Sequence, residues 1–178
     1  MRYFEKIPGE RLFLSPINPD DFELYTKWMN DPAVTAGLGN YRKMNSLPNE
    51  RKLLEEMAAN GHNYAIVLRE GGRLIGNISL MDEDHVNCRA TLGVFLGEEA
   101  DRCKGYGAEA IRLLLGYGFN TLHLHNIQLH VYADNPRAIA CYEKVGFREF
   151  GRRRESDYLC GRYVDRVHMD ILDREFAQ

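Results

Sequence analysis

The stretch Arg102-Cys103-Lys104-Gly105-Tyr106-Gly107-Ala108-Glu109-Ala110 decides the fold, because it turns a strand pattern into a helical one through a short glycine-bearing bend. Before it, Ala90 to Leu96 reads as a strand. After it, Ile111, Leu114, Leu115, Gly118 and Phe119 fall at helical spacing and would lay an apolar stripe on a sheet. The bend therefore delivers a helix N-terminus whose first N–H groups lack intrahelical partners, and two glycines let a ligand come close to the backbone. Such a turn is an anion site, most simply for phosphates.

The spacing Gly105-x-Gly107-x-x-Ala110 satisfies a dinucleotide fingerprint. That reading asks for an acidic residue roughly 20 positions on, at the end of a second strand. The position falls near His125, in a His-Leu-His-Asn segment with loop character. Only about seventy residues follow the motif, too few for the remaining strands of such a domain. The dinucleotide reading is set behind another.

Arg102, Gly105 and Gly107 match in order the acyl-CoA signature of the Gcn5-related N-acetyltransferase (GNAT) family: Arg or Gln, two residues, Gly, any residue, then Gly or Ala. Downstream, the run from Asp134-Asn135-Pro136 through Ala138 and Tyr142 to Gly146-Phe147 resembles the family's second motif. The tail, with Asp157-Tyr158, Gly161-Arg162-Tyr163, Asp165 and Met169, resembles the RimJ/RimL branch. So does Trp28-x-Asn30-Asp31-Pro32 near the start. The resemblance covers nearly the whole chain. It implies an α/β (α+β) single-domain fold over residues 1–178, with a mixed, mostly antiparallel central sheet flanked by helices.

Length and charge agree with one domain. A chain of 178 residues buries a sizeable core without disulfide or metal staples. A net charge of −3 argues against general nucleic-acid binding. Cys88, Cys103, Cys141 and Cys160 are widely spaced, suggesting neither a zinc site nor a disulfide framework, and fit a reducing cytosol. Glu5 and Glu10 interrupt the N-terminal apolar residues, and no later stretch has the apolar length of a membrane span. The expectation is a soluble, cytoplasmic protein.

Taken in order, 11–17 reads as a first strand, with Leu12 and Leu14 on one face. Asn18 caps a helix from Pro19 to about Met29, with Phe22, Leu24 and Trp28 on its buried side. Residues 33–45, with Gly37, Gly39 and Asn40, have loop composition, and a second helix runs over about 48–60. Residues 63–70 and 73–80 form a hairpin about Gly71-Gly72, with positive φ available at both glycines. A polar turn at 82–85 leads to a strand over 87–96. Strand 127–133 and a helix from Asn135 to Gly146 follow, and 147–154 with 162–171 close the chain as a hairpin.

The resemblance supplies the chemistry: transfer of the acetyl group of acetyl-CoA, by direct attack of a primary amine, without a metal. It implies that backbone N–H groups from Arg102, Cys103, Lys104, Gly105, Tyr106, Gly107 and Ala108 cradle the pyrophosphate, with the Arg102 and Lys104 side chains adding positive charge. Val94, Phe95 and Leu96 would pair with pantetheine as an added strand, and the N–H near Val94 would face the thioester oxygen. Tyr142 occupies the family's proton-donor position, yet it also lies on the apolar face of its helix. Asn135 could bond pantetheine or cap the helix at Pro136.

The base is the gap. Some relatives carry Glu in an Ala-Glu-Leu-Gly context where this chain reads Ala90-Thr91-Leu92-Gly93. Glu83, Asp84, His85 and Glu98 are substitutes, each also an ordinary loop residue. An α-amine, less basic than a lysine amine, needs less help. That favours a protein or peptide N-terminus as acceptor, ahead of a polyamine, aminoglycoside or amino acid. A CoA-binding sensor without turnover is the rival, and a homodimer stays open. His123, His125 and His130 hint at a metal but gather no carboxylate or cysteine. Cys103 stands in an electropositive helix-start environment, and the resemblance gives it no covalent role; Arg152-Arg153-Arg154 reads as a solvated face or the wall of an acidic partner's site.

Overall fold

The computed structural model describes residues 2–39 and 42–176. Eight strands form one sheet: β1 (Ile7–Pro8), β2 (Leu12–Pro16), β3 (His62–Leu68), β4 (Leu74–Asp84), β5 (Arg89–Leu96), β6 (Asn126–Tyr132), β7 (Arg148–Leu159) and β8 (Arg162–Leu172), in the order β1-β2-β3-β4-β5-β6-β8-β7. Neighbours run antiparallel except β5 and β6. One parallel pair is incompatible with a doubly wound dinucleotide domain, whose sheet is mostly parallel.

Helices cover both faces. On one side α4 (Tyr106–Asn120) and α5 (Pro136–Val145) pack on the sheet, and Ile111, Leu114 and Leu115 meet Leu12, Leu14, Ile78, Leu92, Ile127 and Leu129. On the other side α1 (Phe22–Met29), α2 (Pro32–Leu38) and α3 (Leu47–Ala59) build a second core from Tyr25, Trp28 and Leu54 against Ala65 and Val67. Period-two alternation along the strands sends side chains to the two cores in turn.

Several local expectations shift. Asn18 caps as expected, accepting from the Asp20 N–H, but Pro19–Asp21 is a tight 3-10 turn before α1. The fully buried face of α1 is Tyr25, Trp28 and Met29, while Phe22 and Leu24 are only partly covered. The segment read as loop contains α2. Asp31 caps it by accepting from Ala33 N–H, Pro32 opens it, and Gly39 ends it at φ 73°; Asn40 lies outside the described residues. Gly71 and Gly72 do take positive φ, at 72° and 60°. The polar segment 82–85 mostly continues β4, and the reversal falls at 85–88. β7 runs on to Leu159, five residues further than expected.

Candidate active site

β5 and β6 pair only over Arg89–Thr91 and Asn126–Gln128. Beyond that the two strands part, opening a wedge in the middle of the sheet. The Gly97 N–H donates to Ile75 O on the β4 side at 3.0 Å. Alternation along β5 then points the N–H and C=O of Val94 the other way, into the wedge, where no strand pairs with them. An extended ligand could pair with this edge as an added strand does.

A cleft of about 570 Å³ occupies the wedge, lined among others by Gly93, Val94, Phe95, Leu96, Asn135 and Tyr142. The glycine turn stands at one end. Cys103 and Gly105 adopt φ of 61° and 84°, so the chain curls before α4 starts. Gly105 offers no capping side chain, and Glu109 N–H is the first to reach an intrahelical carbonyl, Gly105 O, at 3.0 Å. The N–H groups of Tyr106, Gly107 and Ala108 are thus the orphan donors of the helix. A side chain at Gly107 would meet nothing within 4 Å, so the space above these donors is open. Donors, dipole and room fit a pyrophosphate.

Side chains fix the turn from behind. Arg11 donates to Lys104 O at 2.9 Å and to Glu109 Oε2 at 2.8 Å, and its guanidinium lies 5.0 Å from the centre of the Tyr106 ring. Arg73 makes two bonds of 2.7 Å to the buried Asp101. Arg102 was expected to lend charge to the ligand. Its guanidinium lines the cleft and donates to Ala33 O and Leu96 O, both at 3.2 Å, tying α2 to the end of β5. Lys104 is exposed, as is Cys103, whose sulfur accepts from Arg137 at 3.8 Å. Arg137, in the first turn of α5, lines the cleft and was missed from sequence although it sits inside the second motif.

The structure brings Tyr142 and Asn135 to the cleft on α5. Burial, with Cys141 adding to it, pushes the Tyr142 hydroxyl up to about 12. Its ring packs at 6.0 Å from Phe147 against the core, so the packing role and the cleft-facing role hold together. Asn135 Oδ1 accepts from the Ala138 N–H at 3.1 Å, which makes it the helix cap and leaves its amide nitrogen for a ligand. The base substitutes fare less well. Glu98 accepts from Lys27 at 2.7 Å and Trp28 at 3.0 Å, and Lys27 first among these holds its pKa down. Glu83 lies 3.6 Å from His62, Asp84 accepts from Asn87 and Arg89, and His85 lies in the β4–β5 turn. None of the four lines the cleft.

The three histidines separate. His125 lies 3.2 Å from Asp173, His123 is exposed in the approach to β6, and His130 enters the cleft. Among the described residues no group of three or more His, Cys, Asp and Glu is placed to hold a metal ion.

The sequence profile of the acetyltransferase (GNAT) domain matches residues 11–148. An uncharacterized N-acetyltransferase, p20 of Bacillus licheniformis, is 26% identical over 178 residues, covering 97% of this chain and 99% of the relative. YdaF of Bacillus subtilis, named as a candidate ribosomal N-acetyltransferase, is 34% identical over 105 residues, 59% of this chain and 57% of its own length. The spermidine N-acetyltransferase of Vibrio cholerae, solved with CoA and spermine, superposes with a TM-score of 0.83 at 25% identity, over 93% of this chain and 97% of that one. This chain belongs to the GNAT family and is an acetyl-CoA-dependent N-acetyltransferase.

Proposed function

We propose that the chain, read as one catalytic domain, acetylates the α-amine of a protein or peptide N-terminus, in the cytoplasm. The observation carrying the acceptor class is the chemistry of the cleft wall. Arg102, Arg137, Arg166 and His130 line it, and no Asp or Glu is among the described lining residues. Arg166 is bridged to Asp157 behind the wall, so the charge facing an acceptor rests on Arg102 and Arg137. A polycation is drawn to carboxylates and repelled by arginines, whereas a peptide chain has carbonyls, and often carboxylates, for Arg137 to meet.

The steps follow from the wedge. The α4 N-terminus holds the pyrophosphate, and β5 holds the pantetheine with help from Asn135. The Val94 N–H donates to the oxygen that becomes negative when the amine adds to the thioester carbon. A single donor of this kind contributes about 3–4 kcal/mol where one has been removed elsewhere. The carbon–sulfur bond then breaks, and Tyr142 gives its proton to the departing sulfur. A hydroxyl held near 12 stays protonated at neutral pH, and burial that raises it also raises the basicity of a thiolate formed beside it.

Likeness to a spermidine N-acetyltransferase supports a polyamine as the second reading. Thiol release from acetyl-CoA should be followed with unblocked peptides, the same peptides Nα-blocked, and spermidine. The expected outcome is a kcat/KM for the best free peptide at least tenfold above that for spermidine, and none for blocked peptides. The reverse order would hand the site to polyamines.

A further inference from the structure

Two protons leave the amine nitrogen in each turnover, and Tyr142 accounts for delivery of one to the sulfur. The other needs a base on the side from which the amine arrives. Alternation along the strands defines that side. Ile127, Leu129 and Val131 of β6, with Ala90, Leu92 and Val94 of β5, belong to the core under α4 and α5, where Tyr142 also packs. Gln128, His130 and Tyr132 therefore point to the opposite face, as do Thr91, Gly93 and Phe95. The Gln128 amide, donating to the Thr91 hydroxyl at 3.3 Å, marks the last level at which the strands touch. Counted two residues further along each strand from that pair, Gly93 and His130 stand on the two sides of the wedge, and both line the cleft with Val94.

We propose that His130 is the general base of the transfer, taking a proton from the acceptor ammonium on the face of the sheet opposite Tyr142. This rests on the acetyltransferase reading above. Among the described cleft residues His130 is the one whose ordinary pKa lies near neutrality, and among the described residues its ring has no hydrogen-bond partner, its ring neighbour His168 lying 6.1 Å away between centroids. The ammonium gives one proton to a His130 ring nitrogen, and the freed lone pair forms the nitrogen–carbon bond. When the carbon–sulfur bond breaks, the sulfur takes the Tyr142 proton. The second proton of the nitrogen restores the tyrosine, and His130 passes its own to water.

The surroundings keep the imidazole neutral. The ring is exposed along the cleft, yet partial loss of water around it lowers its pKa below 6.5, and Arg166 and His168 on β8 lower it further, against smaller opposing effects from Asp157 on β7 and Asp82 on β4. A weak base suits an α-amine. A lysine-type amine is more basic by about 2.5 pK units, and the same imidazole would deprotonate it roughly 300-fold less.

The test is the pH dependence of kcat/KM for a free peptide in wild type, His130→Gln and His130→Ala, with the acetyl-CoA Kd measured for each. Wild type should lose activity as pH falls through a value below 6.5, where the imidazole protonates. Both variants should bind acetyl-CoA as wild type does, fall about 100-fold at pH 7, and lose that acidic limb. The deficit should shrink as the pH passes the amine's own pKa, and imidazole in the buffer should restore part of the His130→Ala rate. Unchanged rates with an unchanged limb would overturn the assignment, as would a loss uniform in pH and unrescued by imidazole. A wild-type protein that binds acetyl-CoA and acetylates no amine would overturn the transfer itself, and the base with it.

Discussion

At Asp101 a carboxylate that is 2% exposed meets the guanidinium of Arg73 through two bonds of 2.7 Å, which hold its pKa below the ordinary 3.8. The pair ties the residue before β4 to the turn after β5, and so steadies the approach to the anion site. Because the folded pKa is depressed, the stabilisation is present above the unfolded value and disappears as pH falls through the folded one. Asp101→Asn should therefore lower stability by about 1–3 kcal/mol at pH 7, read as a shift in urea midpoint. The gap to wild type should close in acid. Residue types and spacing pointed to the site, and partners did not. Arg102 fills the family's position, but its bonds reach Ala33 O, 69 positions away. His130 stood out only as one of three histidines, because the divergence that exposes it lies between strands.

Among the elements, the turn into α4 was the most legible. Gly105 and Gly107 do different work there. Gly105 sits at φ 84°, where a side chain is strained and a Cβ would come 3.2 Å from Arg11 Nη2. Gly107 is helical, with open space above it. Gly107→Ala should leave thermal stability unchanged or raise it by up to about 1 kcal/mol, while weakening acetyl-CoA binding several-fold, because the methyl would stand where phosphate oxygens approach the N–H groups. Calorimetric Tm and titration of acetyl-CoA separate the two effects; tighter binding would remove the anion site from this turn. α2 was missed because its glycines were counted as loop composition. Gly39 in fact stops a helix that Asp31 and Pro32 start, and at φ 73° a Cβ there would collide with the Tyr132 hydroxyl. The glycine is needed by a neighbour on another element, which no local pattern records.

For the whole molecule, the decisive feature is a sheet antiparallel nearly throughout and interrupted by one parallel step. The connection from β5 through α4 to β6 is a crossover that sets a helix N-terminus at the open end of a splayed strand pair. Seven of the eight strands and most turns were readable from alternation and glycine position; the two-residue β1 was missed. The splay was not, since 92–96 and 129–132 stay paired to β4 and β8 after they cease to pair with each other. The wedge has a core-facing side carrying Tyr142 and an opposite side carrying His130, so under the proposed roles thiol departure and amine arrival lie on opposite sides of the sheet. The most direct measurement is thiol release from acetyl-CoA with a free peptide acceptor, in wild type and Tyr142→Phe side by side, with the acetyl-CoA Kd of each. The expected result is turnover by wild type and a kcat lower by about 100-fold or more in the variant, at unchanged Kd. Equal kcat in the two proteins would contradict it.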